Sequence, residues 1–132
     1  IELSRGPYKV GAPAEAAAAA ALRDGWTWMN DIVRRTVVNR DRLAATLRAR
    51  GLRVPASAGN FLLVGPPEDA PGWAAAMKTA LANRGIGVRA FDGLPGFGDA
   101  IRVTIGPDAS MRRFTEALDA ALSDATLLEA GR

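Results

Sequence analysis

The run Ile101-Arg102-Val103-Thr104-Ile105 alternates strictly between apolar and polar residues, the signature of a strand with one buried face. Ile101, Val103 and Ile105 point one way, Arg102 and Thr104 the other. Upstream, Ile86 and Val88 oppose Gly87 and Arg89 in the same manner, and Gly93, Pro95, Gly96 and Gly98 fill the interval between. The whole reads as strand, long Gly/Pro loop, strand. If the two strands are neighbours, Arg89 enters the loop and Arg102 leaves it. Both then lie near one sheet edge, a place suited to holding an anion. Spacing equally allows a plainer arrangement, with each guanidinium solvated or paired to Asp92 or Asp99 of the loop.

The rest of the chain supplies what such a sheet would pack on. Residues 1–10 are short, irregular and broken by Gly6-Pro7. A helix begins near Ala14 in an alanine-rich tract and stops at Gly25. A second runs from about Trp26 to Arg50, with Met29, Ile32, Val33, Thr36, Val37, Leu43, Ala44 and Leu47 as its apolar stripe. At about 1.5 Å per residue it extends about 37 Å, long for one small domain, so part of it is expected to bridge to something beyond. Leu52-Arg53-Val54 is strand-like, and the unbroken Phe61-Leu62-Leu63-Val64 fits a central strand buried on both faces. A third helix starts near Pro71 and turns Trp73, Met77, Ala80 and Leu81 inward. A fourth starts at Pro107 or Asp108, with Met111, Phe114, Leu118, Ala121 and Leu122 on one side. The expected fold class is a small α/β (α+β) domain, a three- to four-stranded sheet with helices packed on it and a long helix in front.

Absences narrow the chemistry. The 132 residues contain neither cysteine nor histidine, so the chain holds no disulfide, no Cys/His zinc site and no Ser-His-Asp triad. No metal site is expected. Of 17 basic residues only Lys9 and Lys78 are lysine, and the arginines are interspersed with acids rather than clustered with aromatics, which argues against nucleic acid. No apolar run approaches the ~20 residues of a membrane span, and residues 16–21 lack the basic flank of a signal peptide. A cytoplasmic location is the default expectation. The segment at Gly93 to Gly98 has neither the Walker spacing nor a helix directly after it, so its glycines are read as letting it bend tightly rather than as a phosphate loop. Asn60 reads as a turn residue. Arg5 and Tyr8 read as part of a loose N-terminal segment. Trp26, Trp28 and Trp73 read as core or interface.

Three stretches in order resemble the C-terminal part of a fold-type I aminotransferase dependent on pyridoxal phosphate, nearest the histidinol-phosphate aminotransferase branch. Arg5-Gly6-Pro7-Tyr8 with the two helices after it resembles the family's interdomain segment. Ser57-Ala58-Gly59-Asn60-Phe61 resembles its S-x-x-N-F strand start. Gly85-Ile86-Gly87-Val88-Arg89 with Ile101-Arg102-Val103-Thr104-Ile105-Gly106 resembles its closing strands. Lys9 and Gly106-Pro107-Asp108 depart from the usual pattern.

The resemblance implies that Arg102 grips the substrate's α-carboxylate and that Arg89 helps hold a substrate phosphate. It also implies that Arg5 and Tyr8 reach into a partner subunit's site, and it includes Asn60 among the substrate-binding residues. No catalytic or cofactor-binding residue is expected in this chain, because neither lysine has the Ser-x-x-Lys context of the cofactor lysine. Residues 1–25 are expected to form an interdomain segment and residues 26–132 the domain proper, with the cofactor-binding large domain upstream. The implied whole is a homodimeric enzyme of histidine biosynthesis, moving an amino group between an amino acid or amino phosphate and 2-oxoglutarate. The segment alone is expected to be inactive and to bind no pyridoxal phosphate. A phosphothreonine decarboxylase of the same fold type, and a non-catalytic module binding an acidic ligand, are the alternatives.

Overall fold

A helix that buries nothing opens the described part of the chain. The computed structural model describes residues 10–124, and Arg5 and Tyr8 lie outside them. Helix α1 spans Ala12–Asp24, with Pro13 in its first turn, where a missing N–H costs nothing. It is built from strong helix formers, yet none of its residues is buried. Gly25 separates it from α2, Trp26–Ala49, and donates its N–H to the Ala21 carbonyl at 2.8 Å. The chain divides into two compact units, Ile1–Arg34 and Arg35–Arg132.

In the first unit the apolar side chains of α2 stay in solvent. Trp28 is 70% exposed, and Met29, Ile32 and Val33 are exposed as well. In the second unit Leu43, Ala44 and Leu47 are buried, whereas Val37 is not. The expected stripe therefore enters a core only over its last two turns. Of the three tryptophans Trp73 alone is in the core.

Helix α2 ends where Gly51 takes a φ of 79°, which a side chain would resist. The turn closes with Gly51 N–H to the Arg48 carbonyl and Leu52 N–H to the Leu47 carbonyl, at 2.9 and 3.2 Å. Helix α3, Trp73–Ala82, ends in the same paired closure at Gly85, which bonds Ala82, and Ile86, which bonds Leu81. Helix α4 spans Asp108–Ser123 and opens with the expected acidic residue.

The sheet has three strands, β1 Phe61–Val64, β2 Arg89–Leu94 and β3 Gly98–Thr104, ordered β1-β3-β2 and antiparallel throughout. Two expectations change here. Phe61 to Val64 is an edge strand rather than a central one; Leu62 and Val64 are buried, Leu63 is half-buried and Phe61 is exposed. An apolar run of four cannot reveal its place in a sheet, because its length and hydrophobicity fit either position. Residues 89–100 are mostly strand rather than loop: β2 and β3 form a hairpin, its turn closed by Phe97 N–H to the Leu94 carbonyl at 2.9 Å. The register shifts between Phe91 and Leu94, and Gly93, Gly96 and Gly98 supply the positive φ that this bulge and turn need. Arg53 alone of the strand-like 52–54 pairs, in a single bridge to Gly65.

One sheet face forms the core. Leu62, Val64, Ile101 and Val103 meet Leu47, Met77, Leu81 and Leu118 there. By alternation the opposite face carries Phe61, Leu63, Arg89, Phe91, Arg102 and Thr104. No helix among the described residues is long and apolar enough to cross a membrane.

Candidate anion site

Arg102 occupies the middle strand, on the face turned away from the core. Its Cα partners are Leu63 on β1 and Arg89 on β2, so two guanidinium-bearing residues stand directly opposite each other in register. Opposed Cβ atoms in such a pair lie about 4.5–5.5 Å apart, and like charges there destabilise a sheet. The sequence placed the two arginines at the ends of one loop near a sheet edge. The hairpin brings them together more tightly, with only Arg89 on an edge strand.

Neither arginine is neutralised by the acids that the sequence offered. Asp99 is buried, 4% exposed, and faces the other way. Its carboxylate accepts the Ala74 N–H at 3.1 Å and the Gly93 N–H at 3.0 Å, so it caps α3 and fixes the bulge of β2. Burial pushes the Asp99 carboxyl up, but the amides of Ala74, Gly93, Gly72 and Trp73 together outweigh it and hold the group below the usual aspartate value. Asp92 is exposed on β2 and makes no ion pair with either arginine. Among the described residues neither Arg89 nor Arg102 has a carboxylate within ion-pair reach. Each lies instead over an aromatic ring, Arg89 at 5.1 Å from the centre of Phe91 and Arg102 at 5.6 Å from that of Phe61.

The turn before β1 is held by Ser57. Its hydroxyl donates to the Phe61 carbonyl at 2.7 Å and accepts the Gly59 N–H at 3.2 Å. Asn60 contributes its backbone carbonyl, which accepts the Ile105 N–H at 2.8 Å and extends the β1–β3 pairing. Asn60 itself is exposed beside Phe61. Asn39 on α2 donates to the Gly106 carbonyl at 3.1 Å and fixes the end of β3. At the hairpin tip Phe97 covers Gly65, where an added Cβ would come within 2.9 Å of the ring, and Arg53 stacks on the same ring at 4.6 Å. The glycines of this segment thus bend the hairpin over Gly65.

The aminotransferase class I and II family model matches residues 3–118. The chain belongs to that family. It is 39% identical over 116 residues to histidinol-phosphate aminotransferase 2 of Gluconobacter oxydans, covering 88% of this chain and 31% of the relative. It is 42% identical over 101 residues to the histidinol-phosphate aminotransferase of Roseiflexus castenholzii, covering 76% of this chain and 27% of the relative. A crystal structure of a Burkholderia pseudomallei protein assigned as an aminotransferase superposes with a TM-score of 0.72 at 29% identity, covering 91% of this chain and 35% of that one. The chain thus spans about a third of the length of the relatives it matches.

Class I and II aminotransferases depend on pyridoxal phosphate, carried on a lysine. Lys78, the one lysine among the described residues, does not fit that task. It projects from the exposed side of α3, whose buried side packs on the core face of the sheet, away from Arg102. The described residues also contain no cluster of acids that could hold a metal ion.

Proposed function

We propose that this chain is the substrate-binding small domain of a pyridoxal-phosphate aminotransferase of the histidinol-phosphate type. The observation that carries the reading is the pair Arg89 and Arg102, opposed in register, outward-facing and without carboxylate partners. A like-charge pair that costs the sheet stability has a rationale if an anion completes it. A guanidinium presents a planar fork to a carboxylate or phosphate and fixes its orientation as well as its position. Arg102, central and half-buried, is assigned the substrate's principal anionic group. Arg89, on the edge strand, is assigned a share of a phosphate. Asn60 lies beside this face and is assigned a supporting contact, and Arg5 and Tyr8 are assigned to the partner subunit's site in a homodimer.

Held this way, the substrate loses rotational freedom before reaction, and such preorganisation is worth several kcal/mol of barrier. Cofactor chemistry is assigned to the remainder of the aminotransferase, so the 132 residues alone are inactive. The test is amino transfer from histidinol phosphate to 2-oxoglutarate by the full-length protein, with the 132-residue chain as control. Turnover by the longer protein and none by the chain is expected. A full-length protein that transfers amino groups from unphosphorylated donors but ignores histidinol phosphate would remove the substrate assignment.

A further inference from the structure

The sheet face that bears Arg89 and Arg102 holds two aromatic rings that do little for the core. Phe61 is 38% exposed at the start of an edge strand, and Phe91 is half-buried on the other edge strand. Their register places them beside the arginines. Phe91 follows Arg89 by two residues on the same strand face, and Phe61 opposes Thr104, one diagonal step from Arg102. Both guanidinium-to-ring distances, 5.1 and 5.6 Å, lie within the reach of a cation–π contact.

We infer that Phe61 and Phe91 are positioning residues: each ring backs the face of one guanidinium and leaves its hydrogen-bonding edge free for an anion. The inference rests on the reading of Arg89 and Arg102 as anion ligands and adds how they are kept ready.

The geometry favours a ring over an acid for this task. A carboxylate partner would orient an arginine by occupying the same in-plane N–H groups that the substrate needs. A ring engages the flat face, restricts the long side chain and leaves the charge in place. Asp99, the acid nearest Arg102 along β3, is drawn into the core by the amides of Ala74 and Gly93 and cannot compete. The third stacked arginine shows the contrast. Arg53 lies over Phe97 but donates Nε to the Pro66 carbonyl at 2.7 Å, so its stack fastens the hairpin tip. Arg89 and Arg102 make no such bond among the described residues.

The experiment follows arginine side-chain signals of the 132-residue chain by NMR during titration with inorganic phosphate. It compares wild type with Phe61→Leu, Phe91→Leu and the corresponding tyrosine variants. In the wild-type chain the δ-protons of both arginines are expected to show upfield ring-current shifts, and phosphate is expected to move the Nε–H signals of both. Each leucine variant, similar in apolar bulk, should abolish the ring-current shift at its own arginine and weaken phosphate binding about two- to fivefold. Tyrosine should restore both, which a role in packing alone would not require.

Wild-type arginines without ring-current shifts would overturn the inference, and that arm needs no variant to fold. Leucine variants that bind phosphate as tightly as wild type would overturn it too, while leaving the arginines as anion ligands. Ring-current shifts with no response to phosphate at either arginine would overturn the anion reading and this inference together.

Discussion

Replacing Asp99 tests how the hairpin carrying both arginines is held to the rest of the domain. The Asp99 carboxylate accepts the buried Ala74 N–H in the first turn of α3 and the Gly93 N–H at the bulge of β2. A hydrogen bond to a charged group contributes about 1.5–3 kcal/mol net. At Gly93, which is exposed, water can replace the lost acceptor, so that bond is assigned the low end. A negative charge at a helix N-terminus adds about 0.3–1 kcal/mol. Relief of the desolvation of Asp99 offsets part of the total, leaving about 2–4 kcal/mol lost in Asp99→Ala. For a domain of this size that is roughly a 10 °C fall in Tm.

Asp99→Asn keeps an acceptor but loses the charge, and roughly half the effect is expected. The pH dependence carries a definite sign. The folded-state pKa of Asp99 lies below the unfolded value of about 3.9, so its contribution is complete above that value and is lost as pH falls through the folded pKa. The advantage of wild type over Asp99→Asn in urea unfolding should therefore be full at pH 7 and shrink steadily below pH 4. An Asp99→Ala protein within about 0.5 kcal/mol of wild type, or an Asn penalty unchanged from pH 7 to pH 3, would refute this role.

Three other outcomes are expected. Leu47→Ala, at a fully buried position, should cost about 2–5 kcal/mol in chemical denaturation, whereas Trp28→Ala should change the stability of the 132-residue chain by no more than about 0.5 kcal/mol. Gly65→Ala should cost about 1–3 kcal/mol and displace the Phe97 ring, seen as altered chemical shifts at the hairpin tip, because the new methyl meets both that ring and the Asp99 carbonyl. The Arg50–Asp119 pair joins α2 to α4, and its hydrogen bond holds Asp119 below its ordinary pKa against the opposing effect of burial. The stability lost in Asp119→Asn should be full above about pH 4 and fall away as pH drops through the lowered folded-state pKa. The loss should stay within about 1 kcal/mol, since the aspartate side chain is 49% exposed.

The helices and β3 were legible because each carries its pattern without interruption. Strict alternation placed Arg102 opposite the core face, and Gly25 marked a real helix end. β2 was not legible as a strand. The bulge between Phe91 and Leu94 breaks its alternation, and the glycines that permit the bulge are the residues that signal a loop. Strand order was hidden as well: β3 comes last in sequence yet lies in the middle, so Phe61 to Val64 moved to an edge. Asp99 gave no local signal, since the helix it caps begins 26 residues earlier. For Phe91 a signal existed: its two-residue spacing from Arg89 puts both on one face of any strand. Which half of α2 enters the core was not legible, because its exposed apolar residues recur at the same helical spacing as the buried ones.

The measurement that bears most directly on the proposed function is the kcat/KM of the full-length protein with Arg102→Ala and with Arg89→Ala, for a phosphorylated and an unphosphorylated amino donor. Losing a guanidinium paired with a substrate anion costs about 2–5 kcal/mol, so Arg102→Ala should lower kcat/KM for both donors by about thirtyfold or more. Arg89→Ala should lower it mainly for the phosphorylated donor. Turnover of both donors unchanged in both variants would contradict the assignment of this sheet face as the substrate's anion site.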